Sequence, residues 1–78
     1  MFFVRYFRSD LTTGEPTAPV DFAIVPYGDV QAQHEYCVRA AAYRPEAQFY
    51  QLFEGTTLRN GRSVSLMHEL PGRNTPPR

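Results

Sequence analysis

Residues 46–70 run EAQFYQLFEGTTLRNGRSVSLMHEL. The two halves, rich in apolar, aromatic and β-branched residues, flank Asn60-Gly61. Both central positions of the tight hairpin turn need positive φ, which makes Asn-Gly a strong hairpin signal. The spacing predicts two antiparallel strands joined by that two-residue turn, with Thr57 opposite Val64 and Phe53 opposite His68. On this register Phe49, Phe53, Val64 and Leu66 share a face. Gly55 interrupts the first strand and marks a candidate bulge, which would shift the register upstream.

Working outward, the segment on the N-terminal side, YGDVQAQHEYCVRAAAYRP (27–45), is the one helix. Asp29 suits its N-cap, because a carboxylate there accepts the orphan amide protons of the first turn. Val30, Cys37, Val38 and Ala41 lie near one stripe at helical spacing, with His34 among them. Pro45 stops the helix, since it disfavours helical geometry at Arg44. Further upstream, MFFVRYFR (1–8) alternates Phe2, Val4 and Tyr6 against Phe3, Arg5 and Phe7 and reads as a strand. SDLTTGEPTAP (9–19) is a loop, and VDFAIVPY (20–27) is a second strand that ends or lies at an edge at Pro26. The expected fold is α+β, an antiparallel β-sheet in β-β-α-β-β order with one helix packed on one face. A single domain is expected over residues 1–70, with PGRNTPPR (71–78) a disordered tail.

At 78 residues, with one cysteine, the chain can bury only a marginal core and cannot close an internal disulfide. Cys37 is expected to act as a small buried hydrophobe. His34 and His68 stand far apart in sequence with no repeated ligand spacing, so neither metal nor cofactor is implied. A second subunit is then the expected source of added stability. No stretch has the apolar length of a membrane span, and MFFV is too short and badly flanked for a signal peptide. A reducing cytoplasm is the expected compartment.

Eight basic residues balance eight acidic ones, which implies no strong field toward nucleic acid. All eight basic residues are arginine. A GC-rich genome accounts for that bias, and arginine also suits planar, bidentate contacts at interfaces.

The candidate contact residues follow from this composition. Arg59 and Arg62 straddle the hairpin tip, where they serve solubility or grip phosphates and carboxylates. Arg5 and Arg8 interleave with Tyr6 and Phe7, a weak echo of sheets that stack single-stranded RNA. Tyr36 and Arg39, with Tyr43, bring interface-type residues to the polar face of the helix. Packing Phe3 and Phe7 into the core with Arg5 toward water leaves Phe2, Val4 and Tyr6 on the opposite face of the sheet. One helix covers only one face, so a partner or a second copy is expected on the other. Ser63, Ser65, His34 and His68 form no recognisable triad, and no nucleophile elbow or paired-carboxylate motif is present, so no enzyme is expected.

The opening strand MFFVRYF, the alanine-rich helix VQAQHEYCVRAAAY and the closing hairpin QFYQLFEGTTLRNGRSVSLMHE together resemble, in size and plan, the small anti-CRISPR proteins of phages and prophages. The resemblance covers about residues 1–70. It implies a non-enzymatic inhibitor, in some members dimeric, that binds a type I CRISPR effector in the host cytoplasm and prevents productive target DNA binding. Many members are strongly acidic DNA mimics. For this neutral chain the resemblance implies steric blocking, or diversion of the effector onto non-specific DNA. The alternatives are a small nucleic-acid-binding regulator, or a structural subunit that completes a larger assembly.

Overall fold

A computed structural model describes residues 1–56 and 61–73. The elements are β1 (Phe2–Ser9), β2 (Pro16–Val25), α1 (Val30–Ala40) with a 3-10 turn at Ala41–Tyr43, β3 (Phe49–Gly55), β4 (Gly61–Ser63) and β5 (His68–Glu69). All strand pairs are antiparallel, in the order β2-β1-β3-β4, with β5 pairing β3 beyond the end of β4. The fold is therefore the expected α+β plan, with the last strand broken in two. Ser65 sits at the break, where its hydroxyl accepts the Leu52 amide proton in place of a strand carbonyl, at 3.0 Å.

Pro26 follows the last residue of β2, as a missing amide proton dictates. The helix begins where the sequence places it, with the Asp29 carboxylate accepting from the Ala32 amide at 2.8 Å. Its buried stripe is rotated from the expected one. Gln33, Cys37 and Ala41 are buried, whereas Val30 is 69% exposed and Val38 37%. The Gln33 amide side chain donates to the Gly28 carbonyl at 3.2 Å, which satisfies a polar group under the helix and lets an i, i+4, i+8 row face the sheet.

The helix covers Val4, Tyr6, Tyr50 and Leu52, joined by Val25, Ala47 and Leu70. The register pairs Val4 with Leu52 and Tyr6 with Tyr50, which sets Phe3, Arg5, Phe7, Phe49 and Phe53 on the opposite face. Three expectations are thereby corrected. Phe49 and Phe53 face away from the helix, Val64 is 46% exposed and Leu66 82% exposed, and the helix lies over Val4 and Tyr6 rather than over Phe3 and Phe7. The physical reason is Arg5, which shares the face of Phe3 and Phe7: the helix covers the uncharged side of β1, and the guanidinium packs on aromatic rings instead.

The hairpin register also differs. Gly55 pairs with Gly61 and Phe53 with Ser63, so the connection runs over residues 56–60 instead of a two-residue turn. Gly61 is a strand residue without positive φ, and Thr57 and Asn60 lie outside the described residues. A Cβ on Gly61 would lie 2.3 Å from Cζ of Phe3, so glycine serves close ring packing here rather than a turn. Gly55 ends β3, and the register shifts fall instead in the β1–β2 ladder, around Phe7. Leu70 is buried, and the 71–73 stretch expected in the tail forms a turn. There the Arg73 guanidinium donates to the carbonyls of Ala41, Arg44 and Ala47 at 2.6, 2.6 and 2.9 Å.

Candidate docking face around Arg5

The seven sequence-derived contact residues do not converge. Arg59 lies outside the described residues. Tyr6 is fully buried under the helix, where its hydroxyl donates to the Cys37 carbonyl at 2.6 Å and burial raises its pKa. It is a core residue and offers no contact surface. Tyr36 is half-buried and packs against the same core. Arg39 is exposed on the helix, beside a shallow groove lined by Gln31, His34, Glu35 and Val38. Arg8 is exposed near the end of β1. Arg62 is exposed on β4, with a loose ion pair to Glu54 at 3.9 Å.

Arg5 is placed differently from all of these. Its guanidinium carbon lies 3.9 Å from the Phe53 ring centroid, and 5.7 and 5.8 Å from those of Phe22 and Phe3. A cation held over ring faces is stabilised by their negative quadrupole, by about 0.5–2 kcal/mol. Its Nε is buried and has no hydrogen-bond partner among the described residues. Phe3 and Phe53 stack beside it, with ring centroids 5.7 Å apart and planes 11° from parallel.

Next to Arg5, β2 presents an apolar stripe. Val20 and Phe22 are each 39% exposed and Ile24 is 57% exposed. Arg5 is opposite Phe22 and Phe3 opposite Ile24, so these two residues continue the face that carries the arginine, with Val20 next to them at the register shift between Tyr6 and Phe7. Sequence alternation already put Val20, Phe22 and Ile24 together. What it could not supply was the lateral order that lays Phe22 beside Arg5.

On the helix side, α1 and β5 bring together two residues that sequence reasoning left apart. The rings of His34 and His68 lie 4.7 Å apart, and His34 Nδ1 is 2.9 Å from the Tyr50 hydroxyl. Tyr50 also stacks on His68 at 5.1 Å. Burial, and then the neighbouring His68, lower the His34 pKa. The proximity follows from Tyr50 pairing with His68 in the β3–β5 ladder, a register no local motif announces. Ser65 is engaged by backbone groups, and Ser63 is exposed across from Phe53, so neither joins the two histidines. Among the described residues no group of three or more His, Cys, Asp or Glu side chains comes together to hold a metal ion.

Sequence reasoning also missed the Arg44–Asp21 pair, which ties the end of the helical segment to β2 at 2.6 Å. The Arg44 guanidinium lies 5.0 Å from the Tyr6 ring centroid. Among the described residues no helix is long and apolar enough to cross a membrane. No family model, curated protein or solved structure matches the chain.

Proposed function

We propose that the chain is a non-enzymatic docking protein that binds a protein partner through the face carrying Arg5, Val20, Phe22 and Ile24. The observation that carries this reading is the Arg5 guanidinium, held against aromatic rings beside an exposed apolar stripe with its Nε unpaired. A partner carboxylate or carbonyl bound to the outer N–H groups of that guanidinium would balance a charge held among rings while the stripe buries apolar surface. A protein partner is favoured over nucleic acid because Arg8, Arg39 and Arg62 lie on separate elements instead of lining one track, and the net charge is zero.

The partner we propose is a type I CRISPR effector, on the resemblance of size and plan to small anti-CRISPR proteins. Inhibition would be steric, in the host cytoplasm, with the chain acting as a homodimer. The test is a gel shift of target DNA by a reconstituted type I effector, with and without the chain. Loss of the target shift, without binding of the chain to naked DNA, is the expected result. Unchanged target binding would overturn the effector reading. Tight, steeply salt-dependent binding to naked DNA would favour the nucleic-acid regulator instead.

A further inference from the structure

Building on that docking reading, we propose that two copies of the chain pair through the free edges of β2, antiparallel about a twofold axis with Phe22 opposite Phe22. The backbone dictates where the free groups point. The Gly55 amide donates to the Met1 carbonyl at 3.0 Å, which makes that pair hydrogen-bonded. Hydrogen-bonded pairs alternate along an antiparallel ladder, so Phe3, Arg5 and Phe7 turn their amide groups to β3. Phe2, Val4 and Tyr6 therefore turn theirs to β2, at Val25, Ala23 and Asp21. The backbone groups of Phe22 and Ile24 are left pointing off the edge of the sheet. Independently, the Phe22 amide proton goes to the Asp21 carboxylate at 2.8 Å instead of to β1.

Edge strands are usually blunted by proline, charge or bulges. Here those devices occupy the first half of β2, with Pro16, Pro19 and the register shifts around Phe7. Val20 is the residue that the shift skips, and the stretch Asp21–Val25 beyond it contains no proline, with its one charge, Asp21, held by Arg44. An extended strand is what such an edge accepts, and the segment is complementary to itself in one register. Centring the twofold on Phe22 places Val20 opposite Ile24 and Asp21 opposite Ala23. All exposed apolar residues of the stripe then meet their like on one face. Centring on Asp21 would oppose two carboxylates. Centring on Ala23 would set Val20 against Pro26 and forfeit its pairing. The chosen register needs only that Phe22 exchange its Asp21 bond for the partner carbonyl. It also sets two Arg5 faces side by side, leaving the docking surface open and doubled.

Sedimentation equilibrium should give about twice the 8.9 kDa chain mass at micromolar concentration. Ile24→Pro removes an amide proton that β1 does not use, so its circular dichroism and urea midpoint should match wild type. Its dimer should be weakened by about tenfold or more, from the two inter-copy bonds lost at roughly 0.5–1.5 kcal/mol each. Phe22→Cys should cross-link two copies on mild oxidation. Directly opposed hydrogen-bonded residues have Cα atoms about 5.5 Å apart, within disulfide range. Ala23→Cys, opposite Asp21, should not. A monomer at all concentrations, a dimer indifferent to Ile24→Pro, or equal cross-linking at both positions would each overturn the pairing. Effector inhibition retained at dilutions where sedimentation shows wild-type monomer would leave the docking reading standing. A self-associating chain that leaves effector target binding unchanged would fail the docking reading alone, so the two can fail separately.

Discussion

Replacing Gly61 by alanine tests the helix-free face where it is packed most closely. A glycine inside a strand is ordinarily less favourable than alanine by roughly 0.5–1 kcal/mol, so a strand residue without positive φ should gain from the change. At this position the new methyl would lie 2.3 Å from Cζ and 2.8 Å from Cε1 of Phe3, and 3.3 Å from the Glu54 carbonyl oxygen. Phe3 is fully buried and stacked on Phe53, which leaves its ring little room to swing clear. Overpacking of this kind costs about 1–3 kcal/mol. After the backbone gain is set against it, Gly61→Ala should destabilise by about 1–2 kcal/mol, or roughly 4–16 °C in Tm for a domain of this size. Urea unfolding with an unchanged slope is the assay. Phe3→Leu withdraws the clashing ring atoms, so in that background Gly61→Ala should cost less than about 0.5 kcal/mol, a coupling of at least about 0.5 kcal/mol. A neutral or stabilising Gly61→Ala, or an equal cost in both backgrounds, would refute the packing of Phe3 on Gly61 and the hairpin register with it.

Cys37 is buried, and burial pushes its thiol pKa up to about 12, so a thiol reagent should label the native protein only at the rate of unfolding. Cys37→Ser should lower stability by about 1–3 kcal/mol in the same urea assay. Arg73→Ala leaves three carbonyls without their charged donor and should cost about 1.5–3 kcal/mol in the same assay. The lowered His34 pKa means the unfolded chain binds the proton more readily, so this stability is fully present above the ordinary histidine value of 6.5. It is lost as pH falls through the lower folded value. Tm should drop between pH 7.5 and 5, and the drop should shrink in His34→Gln.

The parts of the fold that were legible in the sequence rest on local rules. Asp29 as a cap, Pro26 and Pro45 as stops and the alternation in β1 and β2 each act within a few residues of themselves. The faces were not legible, because alternation shows that Phe3, Arg5 and Phe7 share a side without showing which side the helix covers. Helix phase was misread through Val30 and Val38, which hydrophobicity favours for burial over Gln33. Only the Gly28 carbonyl, a contact set by the turn before the helix, makes Gln33 acceptable inside. Asn60-Gly61 misled for the converse reason, since a strong local turn signal hid the demand that Phe3 places on Gly61. Of the candidate site, Arg5 and the β2 stripe were each visible as residues. Their adjacency depends on β1 lying between β2 and β3, a long-range ordering with no local signature.

The docking claim is tested most directly by comparing variants from the two sides of the sheet in the effector gel shift. Arg5→Gln and Phe22→Ser alter the proposed face, while Arg8→Gln and Arg39→Gln alter exposed arginines elsewhere, and circular dichroism confirms the fold of each. If Arg5 donates to a partner acceptor, its loss should reduce inhibitory potency by roughly ten- to a hundredfold, as for a charge-assisted hydrogen bond of about 1.5–3 kcal/mol. Phe22→Ser should also reduce it, and the Arg8 and Arg39 variants should inhibit as wild type does. Full potency in Arg5→Gln and Phe22→Ser, or a loss confined to Arg8→Gln and Arg39→Gln, would contradict the assignment of this face as the docking surface.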